Sequence, residues 1–311
     1  MEISEPVSST LDVLLKKAAS NPPLKVAVVH PMKKYSLEAA VEAAKAGLIE
    51  PIMVGPKDRM LQIAESFDLD ISGFEIIDCE HSHASAEIAV ALAREQKVQA
   101  LMKGSLATAE LMGAVVHKQL GIRTDRRVSH VFVLQAEHYH KLLLVTDAAI
   151  NILPDLAVKR DILQNAIDLA AGIGLLQPKV AILAAVEKVK PSMPATIDAA
   201  ALCKMSDRGQ ITGAIVDGPL AFDNAISAKA AQIKGIQSPV AGEPDILLVP
   251  DLEAGNILAK QLCYLGGAQS AGLVMGARVP IILTSRSDSL QTRIYSCAVA
   301  SLVSRYKQDQ F

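Results

Sequence analysis

The chain has 311 residues, half of them apolar, with 3% aromatics and no Trp, so its core is built from Ala, Val, Ile and Leu, as in layered α/β proteins whose central strands are buried on both faces. Lys and Arg number 31 against 33 Asp and Glu; this sets up no field for nucleic acid or an anionic membrane, and an anionic ligand has to be caught locally by a few cations and backbone N–H groups. Cys79, Cys203, Cys263 and Cys297 form no CxxC or Cys/His cluster, which argues against structural zinc and a disulfide framework.

The first twenty residues read as an amphipathic helix with early acids and no long apolar run, not as a signal peptide. Lys25–His30 reads as a strand, Ser36–Ala46 as a helix with Ser36 at its start, and Pro51–Val54 as a second strand after the stop at Gly47. That is a βαβ unit opening a parallel sheet. The rhythm continues through a strand at Phe74–Ile77, a helix at His83–Glu95, a strand at Ala100–Met102 and a helix at Ala107–Leu120. Charges cluster at Thr124–Arg127, the expected boundary. Beyond it Val128–Leu134 and Lys141–Thr146 read as paired strands and Val158–Ala171 as a helix. Lys179–Val186, Ile211–Asp217 and Ile246–Pro250 follow as strands, with helices at Ile197–Ser206 and Ala254–Tyr264. A strand at Val279–Leu283 and a helix from Ser289 to Tyr306 close the chain. Apolar runs such as Val180–Val186 are too short to cross a bilayer, and a cytoplasmic enzyme is expected. The expected organisation is α/β, with residues 1–127 as a first domain and 128–272 as a second; by analogy with cleft enzymes whose chain crosses the hinge twice, residues 273–311 are expected to return to the first.

In open parallel sheets, ligands collect where strands end and lead into helices. Lys103-Gly104-Ser105, Asp147–Asn151, Asp217-Gly218-Pro219, Pro250–Asn256 and Ser285–Ser289 all follow expected strands. Each has a structural reading as well: Asp217-Gly-Pro makes a turn on its own terms, and Asp251 starts a helix. Their shared position at strand ends favours a common site, with Lys103, Asp147, Asn151, Asp217, Asp251, Gly255 and Asn256 as candidate substrate-binding residues. Ser285–Ser289 is the strongest local signal, because hydroxyls and an Arg immediately before a helix suit a phosphate or carboxylate. Neither GxGxxG in the first βα turn, GxxxxGK[ST] nor GxSxG occurs. His81, His83, His138 and His140 read as surface histidines without an acidic metal-ligand framework, His30 as a structural histidine, and Cys297 as a core residue.

At Pro250–Asn256 (PDLEAGN) together with Ile282–Ser289 (ILTSRSDS) the chain resembles the phosphate acetyl/butyryl transferase family. Further matches are Val26–Pro31, Gly47–Pro56, Leu101–Met112, Gly121–Thr124 followed by Ser129–Leu134, Thr146–Asn151 and Asp217–Ala225. The likeness covers essentially everything after residue 24, and points toward butyryltransferase-like members and the acyltransferase half of enoyl-CoA hydratase fusions. It implies two α/β/α domains with a cleft between them, isocitrate/isopropylmalate dehydrogenase-like, and a homodimer. It implies acyl-CoA plus phosphate giving acyl phosphate plus coenzyme A for short acyl chains. Coenzyme A is then a substrate, with no cofactor, metal or covalent enzyme intermediate.

By position, Ser285 and Arg286 match the family's Ser-Arg pair, with Ser stabilising the reacting centre and Arg holding phosphate. Two positions depart from acetyltransferase members: Thr292 stands where an Asp is the proposed thiol base, and Gly113 stands where an Arg is expected. Asp288 is the substitute base and Arg123 the substitute positive charge. An alternative reading is a non-catalytic acyl-CoA-binding regulatory protein of the same fold. A decarboxylating dehydrogenase on this scaffold would need acidic metal ligands that the sequence does not assemble.

Overall fold

The computed structural model describes residues 10–309. Residues Asp12–Arg126 and the chain from Ala271 onward form one compact unit, and Arg127–Ser270 belong to another. The first stretch runs α1 (Leu11–Ala19), β1 (Leu24–Val29), α2 (Lys34–Lys45), β2 (Ile49–Gly55), α3 (Lys57–Ser66), β3 (Glu75–Asp78), α4 (Ser82–Arg94), β4 (Ala100–Lys103) and α5 (Thr108–Val115). The middle stretch runs β5 (Ser129–Gln135), β6 (Leu143–Thr146), α6 (Leu156–Gly172), β7 (Lys179–Leu183), α7 (Pro194–Asp207), β8 (Ile215–Leu220), α8 (Phe222–Ile226), α9 (Ala228–Ile233), β9 (Ile246–Leu248) and α10 (Leu252–Tyr264). The chain closes with β10 (Gln269–Met275), β11 (Ile281–Ile282) and α11 (Leu290–Asp309).

In the first unit the strand order is β3-β2-β1-β4-β11-β10. β1, β2, β3, β4 and β11 run parallel to one another, and β10 runs antiparallel to β11. The chain moves from β1 outward to β2 through α2, then returns from β3 to β4 on the far side of β1. Right-handed crossovers in opposite directions require α2 and α4 to lie on opposite faces of the sheet. Accordingly α11 packs on α2 and β11, while α4 packs on α5, β1, β2 and β4. Val26, Ala27, Val28, Val29, Leu101 and Met102 are buried, as near-continuous apolar strands covered on both faces should be. In the other unit the order is β5-β6-β9-β7-β8, with only β5–β6 antiparallel. Its core joins Leu134, Val145, Ala181, Leu247 and Val249.

Several boundaries differ from the sequence reading. Ser36 is not the start of α2; the helix begins at Lys34, and Ser36 Oγ instead donates back to the Lys33 carbonyl at 2.8 Å. The helix expected to Leu120 stops at Val115, because the next residues form a turn in which His117 Nδ1 accepts the Gln119 and Leu120 N–H groups at 3.3 and 3.1 Å. Asp217-Gly218-Pro219 does not follow its strand but lies inside β8, an edge strand where a Pro lacking an N–H is tolerated. α3, α8, α9 and β10 are additional to the elements expected from the sequence; β10 is rich in small residues that carry little strand preference. Of the N-terminal helix only Leu11–Ala19 is seen, and the part expected at residues 1–9 lies outside the described residues. Among the described residues no helix is long and apolar enough to cross a membrane.

Candidate active site

The reversal of strand order puts a topological switch between β1 and β4, the place where open α/β sheets hold ligands. Val29 pairs with Lys103 there, and the two strand ends are tied together. Gly104 N–H donates to Val29 O at 2.9 Å, and Ser105 N–H and Oγ donate to His30 O at 3.0 and 2.8 Å. Met32 N–H donates to Ser105 Oγ at 2.8 Å. A Cβ on Gly104 would lie 2.3 Å from Val29 O, so this approach excludes any side chain. His30 sits in the left-handed region at φ 54, with Nδ1 3.2 Å from Ser85 Oγ. Burial holds its imidazole below the ordinary 6.5, so the ring is neutral at pH 7.

β11 lies beside β4 with Ile282 opposite Met102, which brings the residues after β11 next to Lys103. The chain leaves the strand as Thr284–Ser289 and enters α11. Ser285, Arg286 and Ser287 are exposed, whereas Lys103 is only 5% exposed and Thr284 4%. Asp288 Oδ2 accepts the Ser285 N–H at 2.6 Å, closing the loop. Ser285 Oγ and Ser287 Oγ lie 3.1 Å apart. Ser289 Oγ accepts the Thr292 N–H at 3.1 Å and also touches Thr292 Oγ1, so Ser289 caps α11. Among the described residues, Lys103 Nζ donates to Gly104 O and Leu106 O alone, at 3.3 and 3.2 Å. Burial, then repulsion by Arg293 and Arg286, holds this ammonium below its ordinary 10.5, with Asp288 acting the other way. A buried ammonium repelled by two guanidiniums carries excess positive charge, which an anion would offset.

The middle unit brings a second group together. Asp147 is buried, and its carboxylate accepts five N–H donors: His130, Ala149 and Ile150 backbone N–H on Oδ1, and Asn151 N–H and Nδ2 on Oδ2. Such saturation makes Asp147 the organiser of its loop. Asn151 Nδ2 also donates to Val128 O at 2.9 Å, and Asn256 Nδ2 donates to Ala148 O at 3.0 Å. At Gly255 a Cβ would fall 2.6 Å from Asp147 O, so α10 presses its backbone against the same loop. Asp251 caps α10 by accepting the Ala254 N–H at 2.9 Å, the structural role open to it in the sequence. Asp217 lies in β8, where Oδ1 accepts the neighbouring Gly218 N–H at 2.9 Å.

Arg123 is not brought to the Lys103–Ser285 group. Its backbone bridges Ala277, at the turn between β10 and β11 and thus at the opposite end of the strands. The reason is antiparallel pairing: β10 must run back before β11 can deliver Ser285 to the other edge. Gly113 is exposed on α5 with open space around its Cα. The residue missed in the sequence is Arg293, 2% exposed in α11. Its signal was a charge within an otherwise apolar helical stretch. Elsewhere His81 caps α4 by accepting the Ala84 N–H at 3.1 Å, exposed His83 pairs with Glu110, and His138 and His140 are exposed. Burial pushes the Cys297 thiol up to about 12, and burial with Asp217 and Asp207 pushes the Cys203 thiol up to about 12.

Residues 83–301 match the family model described as "Phosphate acetyl/butaryl transferase". The chain is 57% identical over 294 residues to a phosphate acetyltransferase of Rhizobium meliloti, covering 94% of this chain and 93% of that one. It is 42% identical over 294 residues to a phosphate butyryltransferase of Clostridium acetobutylicum, covering 94% and 98%. The named acetyltransferase is thus nearer than this butyryltransferase. A solved branched-chain phosphotransacylase from Enterococcus faecalis V583 superposes with TM-score 0.79 at 30% identity, covering 90% of this chain and 99% of that one. The fold is the isocitrate dehydrogenase-like α/β arrangement of phosphotransacylases. With a matched model spanning more than half of its length, the chain belongs to the phosphate acetyl/butaryl transferase family.

Proposed function

We propose that this chain transfers a short acyl group between coenzyme A and inorganic phosphate, acyl-CoA + phosphate giving acyl phosphate + CoA. The observation that carries the reading is the Ser285–Ser289 loop at the N-terminus of α11, with exposed Arg286 beside the buried Lys103 ammonium. In the direction of acyl phosphate consumption, the CoA thiolate attacks the acyl carbonyl. A C–S bond forms, the C–O bond to phosphate breaks, and phosphate leaves with the electron pair. Arg286 and Lys103 hold the phosphate as its charge grows, and the Ser285 hydroxyl with the Leu290 and Gln291 N–H groups of the helix start stabilises the tetrahedral oxyanion. A thiol of ordinary pKa about 8.5 needs modest help to ionise. Asp288 Oδ1, which takes no protein donor among the described residues, is the group assigned to that proton. Asp147, Asn151, Gly255 and Asn256 shape one loop of the middle unit, and in this reading they, with Asp217 and Asp251, are candidates for substrate binding.

Acetyl-CoA is the first substrate to assay and butyryl-CoA the second. Purified, chelator-treated protein should release free thiol only when phosphate is present, with acyl phosphate trapped by hydroxylamine in equal amount. Tight acyl-CoA binding without phosphate-dependent thiol release would favour the regulatory reading instead. The protein acts as a homodimer in this reading. Ile257, Tyr264 and Leu265 are 67%, 67% and 84% exposed at α10, and Ile152 and Leu153, 69% and 82% exposed, adjoin its start through the Leu252 N–H to Ile152 O bond. A second copy would cover that apolar surface. Sedimentation at micromolar concentration tests this, and a monomer would overturn it.

A further inference from the structure

Arg293 is a charged side chain 2% exposed in the interior face of α11, and such burial is rare for Arg unless it is paired. Its hydrogen-bond acceptors are all neutral, and the Asp288 carboxylate attracts it without forming an ion pair. Nη1 donates to Thr284 Oγ1 at 2.6 Å, Nη2 donates to Ser285 O at 2.7 Å and more distantly to Asp288 O at 3.5 Å, and the guanidinium lies 4.7 Å over the Tyr35 ring. Among the described residues no carboxylate forms an ion pair with it. Lys103 lies near enough to be repelled by it. Asp288 attracts both cations, so one carboxylate serves two buried positive charges, and the excess opposes folding unless something else uses it.

Ser285 is held from both sides. Asp288 Oδ2 takes its N–H and Arg293 takes its C=O, while the same guanidinium grips the side chain of Thr284 one residue earlier. The planar fork spans two consecutive residues of the loop, which a Lys could not reproduce. The loop that presents Ser285 and Arg286 is therefore oriented by a rigid group anchored in a long helix and stacked on α2.

We propose that Arg293 is a positioning residue for transfer: it fixes the Thr284–Ser285 backbone so that Ser285 and Arg286 meet the phosphate, and together with Lys103 it forms a cationic floor that the bound phosphate neutralises. This rests on the acyl-transfer reading for its kinetics but not for its anion site. Arg293→Lys keeps the charge and loses the fork. Folded by circular dichroism, it should lose about ten- to a hundred-fold in turnover over phosphate KM, the worth of a hydrogen bond to a charged group. The KM for CoA should stay within about two-fold, since that substrate is not held by this contact. A merely structural Arg would lower the melting temperature and leave this split unmoved. A folded Arg293→Lys with wild-type turnover and phosphate KM overturns the proposal. Should that variant not fold, Thr284→Val decides, because it removes one acceptor and keeps the shape. It should shift phosphate KM in the same direction, and an unchanged value overturns the proposal. Inorganic phosphate should also raise the melting temperature of the wild type and not of Arg293→Lys. If the wild type transfers no acyl group yet shows this phosphate response and the variant loses it, the acyl-transfer reading fails and the anion site stands. No response in the wild type overturns the anion site as well.

Discussion

Replacing Lys103 by Met should stabilise the protein in anion-free buffer and weaken its hold on phosphate. The side chain is 5% exposed, and the effective penalty for burying an ammonium is several kcal/mol. Its hydrogen bonds to Gly104 O and Leu106 O are 3.3 and 3.2 Å long, beyond the usual charge-assisted range, so each returns only about 1 kcal/mol. Asp288 attracts the ammonium, while Arg293 and Arg286 repel it. Met has similar length and buries without that penalty, so Lys103→Met should gain about 1–3 kcal/mol. At about 2 °C per kcal/mol for a chain of this size, the melting temperature should rise by about 2–6 °C. Lys103 is held below its ordinary 10.5, so between its folded value and 10.5 the unfolded chain binds more protons and wild-type stability rises with pH. The advantage of the variant should therefore be largest near pH 7 and shrink as pH climbs toward 10.5. Scanning fluorimetry across that range, with and without phosphate, reads both effects. A variant that melts below the wild type without anions and keeps its full phosphate response refutes the reasoning.

Arg286→Ala should lower catalytic efficiency about ten- to a hundred-fold, the typical worth of a hydrogen bond to a charged group, and Arg286→Lys should raise the phosphate KM with the CoA KM unchanged; a loss confined to CoA would make Arg286 a CoA clamp. Asp288→Asn keeps an acceptor for the Ser285 N–H and removes the base, so turnover should fall chiefly at lower pH and recover as pH rises. An unchanged pH–rate profile leaves Asp288 as a loop clamp only. Asp147→Asn sets an amide N–H₂ against the donors that the buried carboxylate accepts, and should cost about 2–4 kcal/mol. Denaturant unfolding measures it, and a midpoint equal to the wild type would show that the loop rearranges freely.

What the sequence determined by itself was local. Alternating β-branched runs and helical stretches mark an α/β chain, because strand and helix periods are written in neighbouring residues. The polar segments at strand ends stand out for the same reason, and the ordered set of motifs from Leu101 to Ser289 points to the family that the comparisons show. What only the tertiary structure decided was which of those polar groups share a place. Lys103 and Ser285 are 182 positions apart and meet because β11 pairs with β4, whereas Arg123, nearer to Lys103 in sequence, is held at the other strand end by its bridge to Ala277. Asp147 and Asp251 look like ligand groups in sequence, yet the one gathers five N–H donors and the other caps a helix. Nothing in a string of letters distinguishes a carboxylate turned inward to its own backbone from one turned toward a substrate. Arg293 is the reverse case: within a helical pattern it reads as one more charge, and only packing shows that its guanidinium is buried beneath the Ser285 loop. Side-chain direction and strand pairing are long-range properties, set by what each residue is packed against and not by its neighbours in the chain.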